Sequence, residues 1–84
     1  MGRTFELQIN VHLDEDADHT EAEAVLELAG DQFVGRGRAR RNPVDPSRPV
    51  IGEELATARA LSDLARHLLD AATDSIADNM QTSA

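Results

Sequence analysis

Four arginines crowd into six residues, Arg36, Arg38, Arg40 and Arg41, and with Arg48 they form the one stretch of an otherwise acidic chain suited to holding an anion. A guanidinium presents a planar fork of N–H donors that matches the oxygens of a phosphate or carboxylate in pairs. In an extended strand alternate side chains share a face, so Arg36, Arg38 and Arg40 project together while Gly35, Gly37 and Ala39 leave the opposite side smooth. Two readings are open. The arginines contact the phosphates of a large anionic partner such as structured RNA, or they pair across the sheet with Glu21, Glu23 and Glu27 of a neighbouring strand. No aromatic side chain shares that face, so an RNA partner would be met through its backbone or as a duplex rather than by stacking of single-stranded bases.

Other groups with chemical potential have less support. Asp14, Asp16 and Asp18 have the spacing that opens a calcium loop. The glycine and glutamate such a loop needs at its sixth and twelfth positions are here His19 and Val25, so a solvated turn is expected. His12, His19 and His67 are separated and share no i, i+4 spacing on a helix, which argues against a histidine metal site. Gly35-x-Gly37 lacks the third glycine and the following helix of a nucleotide loop. Ser47, Ser62 and Ser75 have no adjacent base. The sequence therefore predicts no catalytic residues, no metal and no cofactor, and a protein that is not an enzyme.

Sixteen acids against eight arginines give a net charge of −8, unfavourable for a surface that binds nucleic acid everywhere. The charge is uneven: residues 1–31 hold nine acids and one arginine, whereas residues 36–48 hold five arginines and one acid, Asp45. An anionic partner would have to meet one patch. With no cysteine, neither disulfides nor thiolate metal sites are available. No stretch approaches the roughly 20 apolar residues of a membrane span, and the start lacks an apolar signal core, so a cytoplasmic protein with no membrane association is expected.

The elements that must position these groups follow from periodicity. Leu7, Ile9, Val11 and Leu13 alternate with polar residues, the signature of a half-buried strand. Residues 20–28 have helical propensity, but Ala22, Ala24, Leu26 and Leu28 alternate with Glu21, Glu23, Val25 and Glu27, and Gly30-Asp31 offers a tight turn into Phe33-Val34. A second strand is predicted there, and the arginine run itself is the third, ended by Asn42-Pro43. Residues 42–52 read as a loop punctuated by Pro43, Pro46 and Pro49.

Gly52 is expected to cap a long helix with Glu53 and Glu54 in its first turn. Leu55, Ala58, Leu61, Ala65, Leu68, Leu69, Ala72 and Ile76 would pack on the sheet, with Gly35 and Gly37 letting the helix sit close. Ala60, Leu64 and Ala71 form a second apolar line, the candidate contact for a second copy. Arg59, Asp63, Arg66 and Asp70 read as a solvated face of i+3 and i+4 ion pairs. The fold class is α+β: a three-stranded antiparallel sheet followed by one long helix, a single domain over residues 1–78 with a disordered tail at 79–84.

The run Val34-Gly35-x-Gly37-x-Ala39-Arg40-x-Asn42-Pro43-x-Asp45, followed by the run from Ile51-Gly52-Glu53-Glu54-Leu55 to Ser62-Asp63-Leu64, resembles a small actinobacterial family of unknown function that includes dormancy-induced mycobacterial proteins. The resemblance implies a β-β-β-α fold, a homodimer, and a likeness to ribosome hibernation factors and double-stranded-RNA-binding folds, with association with the ribosome or structured RNA under stress. It brings no catalytic residues. Arg36 and Arg38 stand where members of that family are apolar, Leu7 stands near an aromatic position, and Ser75 replaces an acid before Ile76. The expected role is a homodimeric binding module using its arginine strip; the alternative is a protein–protein or structural dimer that binds no nucleic acid.

Overall fold

The computed structural model describes residues 2–41 and 48–82. Three strands, β1 (Ile9–Glu15), β2 (His19–Leu28) and β3 (Asp31–Arg40), precede one helix, α1 (Pro49–Thr82). The strands form an antiparallel sheet in the order β1-β2-β3, with β2 central and two edges. This is the α+β architecture that the alternating pattern predicts. Residues 42–47, with Asn42, Pro43, Asp45, Pro46 and Ser47 of the expected loop, lie outside the described residues, as do residues 83 and 84 of the expected tail.

The turn between β2 and β3 is centred one residue earlier than expected. Ala29 (φ 54°) and Gly30 (φ 85°) both adopt left-handed backbone, the geometry of a type I′ hairpin whose twist matches that of the flanking strands. Asp31 already belongs to β3.

Alternation sorts the sheet into two faces. Thr20, Ala22, Ala24 and Leu26 of β2 are buried, and across from them on β3 lie Ala39, Gly37, Gly35 and Phe33. Against this face α1 buries Ala56, Ala60 and Leu64, with Leu28, Phe33 and Leu68 packed at the margin. The expected contact stripe is therefore displaced: Leu55, Leu61, Leu69 and Ile76 remain exposed.

Two of the three residues assigned to contact with a second copy, Ala60 and Leu64, are core residues of the chain itself, 0% and 2% exposed, and Ala71 is half-buried one turn beyond Leu68 on the same helix. The cause is the close approach made possible by the glycines. A Cβ on Gly35 would stand 2.7 Å from the Cα of Leu64, and one on Gly37 would stand 2.8 Å from the carbonyl carbon of Arg59. With no Cβ on the strand at these two positions the helix backbone seats deeply, so the line Ala56, Ala60 and Leu64 faces the sheet and Leu55, Leu61 and Leu69 are turned aside.

The helix starts at Pro49, one turn before the expected cap at Gly52, and the Ile51 N–H bonds the Arg48 carbonyl at 3.0 Å. Proline suits a first helical position because its missing N–H would lack an intrahelical partner anyway. Glu53 and Glu54 consequently fall beyond the first turn. At the other end the helix runs to Thr82, past residue 78 where a tail was expected to begin. Its 34 residues span about 51 Å at ~1.5 Å each, far longer than the ten-residue strands beneath it. No helix among the described residues is long and apolar enough to cross a membrane.

Candidate interaction site

The face of the sheet turned away from α1 carries the charged residues. Pairing places Arg38 opposite Glu21, Arg36 opposite Glu23 and Arg40 opposite His19. Two of these neighbours are ion pairs: Arg38 Nη2 lies 3.2 Å from Glu21 Oε1, and Arg36 Nε lies 3.4 Å from Glu23 Oε2. Both arginine side chains are more than 70% exposed, so each pair contributes at most about 1 kcal/mol. The charges nevertheless balance locally, acid stripe against basic stripe.

The remaining ladder arginines gather at one end. Arg41 does not share the ladder face; its Nη2 is 3.3 Å from Asp18 Oδ1 and its N–H donates to the Asp18 carbonyl at 2.8 Å. Arg40, Arg41 and Arg48 line a groove of about 480 Å³ beside the start of α1, together with Asp16, Asp18 and His19. Asp16, the centre of the expected solvated turn, is turned inward on the loop. Its Oδ1 accepts the N–H groups of Asp18 and His19, each at 2.8 Å. These two backbone donors hold its carboxyl below the usual carboxylate range.

At the same end Thr20, buried, donates from Oγ1 to Glu15 Oε2 at 3.3 Å. Glu15 in turn shares a hydrogen bond with Glu53, which with the repulsion of the Glu15 charge holds the Glu53 carboxyl above its ordinary range. The three histidines stand apart. His12 is opposite Glu23 on β2, His19 is opposite Arg40 on β3, and His67 is on the helix.

Side chains of α1 take up three outward backbone groups on the outer edge of β3. Arg59 Nη1 donates to the Arg38 carbonyl at 2.7 Å, the Arg36 N–H donates to Asp63 Oδ2 at 2.9 Å, and His67 Nδ1 donates to the Val34 carbonyl at 2.7 Å. Arg59, Asp63 and His67 recur at i, i+4 and i+8, the spacing that stacks side chains along one flank of a helix. Asp63 also pairs with Arg66. The Arg36 N–H, foremost, and then the Arg66 hydrogen bond hold the Asp63 carboxyl below the usual range.

This trio is a function of the helix that sequence reasoning missed. By charge spacing Arg59 and Asp63 belong to a solvated ion-pair face, and His67 shares no spacing with the other histidines. The available signal was their position immediately beside the Ala56, Ala60, Leu64 line, which sets them over a strand edge once that line is recognised as the contact.

Among the described residues the opposite edge, β1, has no such cover. The helix scarcely touches β1, and its helix-side row is only partly covered: Val11 packs against the core, while Ile9 is 43% and Leu13 46% exposed, and Leu7 and Phe5, before the strand, are exposed as well. Exposed apolar side chains beside an uncovered strand edge suit a contact surface.

Comparison with known proteins fits the same architecture. Residues 5–84 match the model of the Rv2632c-like family. Rv2632c of Mycobacterium tuberculosis strain H37Rv, an uncharacterised protein, is 52% identical over 61 residues, a match that covers 73% of this chain and 66% of that protein. The chain thus spans just under two thirds of that relative's length. An uncharacterised protein of Mycobacterium bovis, Mb1767, is 43% identical over 68 residues, covering 81% of this chain and 72% of its own. The crystal structure of Rv2632c superposes with a TM-score of 0.82 and 44% sequence identity, over 94% of this chain and 92% of that one.

Proposed function

The chain belongs to the Rv2632c-like family, and from that premise we propose that it is a non-enzymatic interaction module that acts as a homodimer, its ladder arginines serving the sheet rather than a nucleic acid. The observation that carries this reading is the pairing of Arg36 with Glu23 and of Arg38 with Glu21. A phosphate drawn to either guanidinium would come within reach of a carboxylate that already neutralises it. The net charge of −8 adds repulsion at longer range. Self-association is supported by the open apolar row on β1, which a second copy would bury.

A second reading has one feature in its favour, the convergence of Arg40, Arg41 and Arg48 on a single groove. Under it the module would meet structured RNA or the ribosome through that end, in a stress- or dormancy-related role. Asp16 and Asp18 in the same groove weigh against it.

Electrophoretic mobility of duplex RNA at low salt separates the two. The expected result is no shift at micromolar protein. A shift that Arg36→Ala/Arg38→Ala abolishes would overturn the proposal, and one that only Arg40→Ala/Arg48→Ala abolishes would establish the second reading.

A further inference from the structure

When internal partners are assigned to the eight arginines, two are left over, and both line the same groove. Glu23 and Glu21 hold Arg36 and Arg38, Asp18 holds Arg41, and Asp63 holds Arg66. Arg59 donates to the Arg38 carbonyl, and Arg3 lies over the Phe5 ring, 4.6 Å from its centroid. Among the described residues the side chains of Arg40 and Arg48 make no hydrogen bond and no ion pair. Both are exposed, and both line the groove of about 480 Å³ beside the start of α1. The acids of that groove are in the opposite condition. Asp16 Oδ1 accepts two backbone N–H groups, Asp18 pairs with Arg41, and Glu15 accepts from Thr20. The rotation of the helix that sets Ala56 on the sheet also leaves Ile51 and Leu55 open on the groove wall, 49% and 45% exposed.

We infer that this groove binds a small molecule with one anionic group, a phosphate monoester or carboxylate, on an apolar body. Arg40 and Arg48 hold the anionic group, and the body lies against Ile51 and Leu55. A guanidinium with no carboxylate of its own offers paired N–H donors to such oxygens, and the apolar wall gains by being removed from water. The volume falls within the roughly 300–1,000 Å³ of small-molecule clefts. Charge limits the ligand's size. Arg40, Arg41 and Arg48 are balanced by Glu15, Asp16 and Asp18 in the same groove, so a polyanion finds no net attraction there and meets the acids as it spreads. A single anionic group needs only the two guanidiniums that lack partners.

Titration of the full chain with phenyl phosphate, followed by two-dimensional amide NMR, tests this. Saturable shifts are expected at the groove amides of His19, Arg41 and Gly52, with a Kd of about 1 mM or below. Arg40→Ala/Arg48→Ala removes two exposed side chains and leaves the fold intact; it should weaken binding at least about tenfold. Inorganic phosphate and benzyl alcohol, each carrying half of the ligand, should both bind more weakly than phenyl phosphate. Phosphatidate vesicles identify the source of the group: sedimentation of the parent with them, lost in the double variant, supports the inference with a lipid headgroup as ligand, and phenyl phosphate binding without sedimentation supports it with a soluble one. No saturable shift, equal affinity in the double variant, or inorganic phosphate binding as well as phenyl phosphate would overturn it. Displacement of phenyl phosphate by micromolar duplex RNA would overturn it in favour of a polyanion.

Discussion

The N–H of Arg36 donates to the carboxylate of Asp63 at 2.9 Å, so the helix supplies the outer strand with the partner that a fourth strand would otherwise provide. With the Arg59 and His67 bonds on either side, it takes up backbone groups in the middle of that edge that an added strand would need. The other edge stays open beneath an apolar row, and that asymmetry carries the account of how this chain meets its partners.

The Asp63 carboxylate should make stability fall in acid. Its folded pKa is depressed by the Arg36 N–H and by Arg66, so its contribution is fully present above the ordinary aspartate range, near 3.8. It is lost as pH falls through the lower folded value. Asp16 has the same sign. Glu53, whose pKa is raised, has the opposite one, contributing below its ordinary value near 4.5 and losing that contribution as pH rises through the raised one. Thermal melts between pH 7 and pH 2.5 should show a shallower acid limb for Asp63→Asn than for the parent. Parallel curves would contradict this.

Gly35→Ala should destabilise the fold by about 3 kcal/mol, the upper end of the range for overpacked sites. The added carbon would press on the main chain of Ala60 and Leu64 rather than on a flexible side chain. For a domain of this size that is a fall in Tm of roughly 12–24 °C. Urea denaturation checks it, and a loss below about 0.5 kcal/mol would mean that helix and strand are not in such close contact.

This glycine contact also marks where the sequence was legible and where it was not. The alternation of Ala22, Ala24 and Leu26 with Glu21 and Glu23 gave the face of β2, and the same period made the arginine ladder a strand with its glycines toward the helix. Hydrophobicity alone then ranked Leu55, Leu61 and Leu69 above Ala56 and Ala60 as the helix contact. The order reverses because a strand without Cβ atoms admits a helix backbone, and a leucine at Ala56 or Ala60 would hold the two apart. The edge bonds of Arg59, Asp63 and His67 depend on that helix rotation, so they were hidden with it. The cross-strand pairs of Arg36 and Arg38 were one of two open readings; charge pattern names possible partners, and register selects among them.

Ala29→Asn should raise stability by about 1 kcal/mol. Ala29 is a non-glycine residue at φ 54°, a conformation that costs an ordinary L-residue roughly 1–2 kcal/mol and asparagine less. Asn-Gly is also the favoured pair for a type I′ turn. The midpoint of urea unfolding reads the gain; an unchanged midpoint would contradict it.

The pair of Arg38 with Glu21 should be real but weak. A double-mutant cycle with Arg38→Ala and Glu21→Ala is expected to give a coupling of about 0.2–1 kcal/mol, reduced in 1 M salt. No coupling at low salt would show that Arg38 is available to another partner.

The central claim, that this module works by associating with its own kind through an apolar edge, is tested most directly by its molar mass in solution. Light scattering on the parent chain, from 50 mM to 1 M salt, should give twice the 9.1 kDa of one chain with no loss at high salt, since burial of apolar surface is not screened by ions. A mass of 9.1 kDa throughout, or a dimer that dissociates as salt is added, would contradict it.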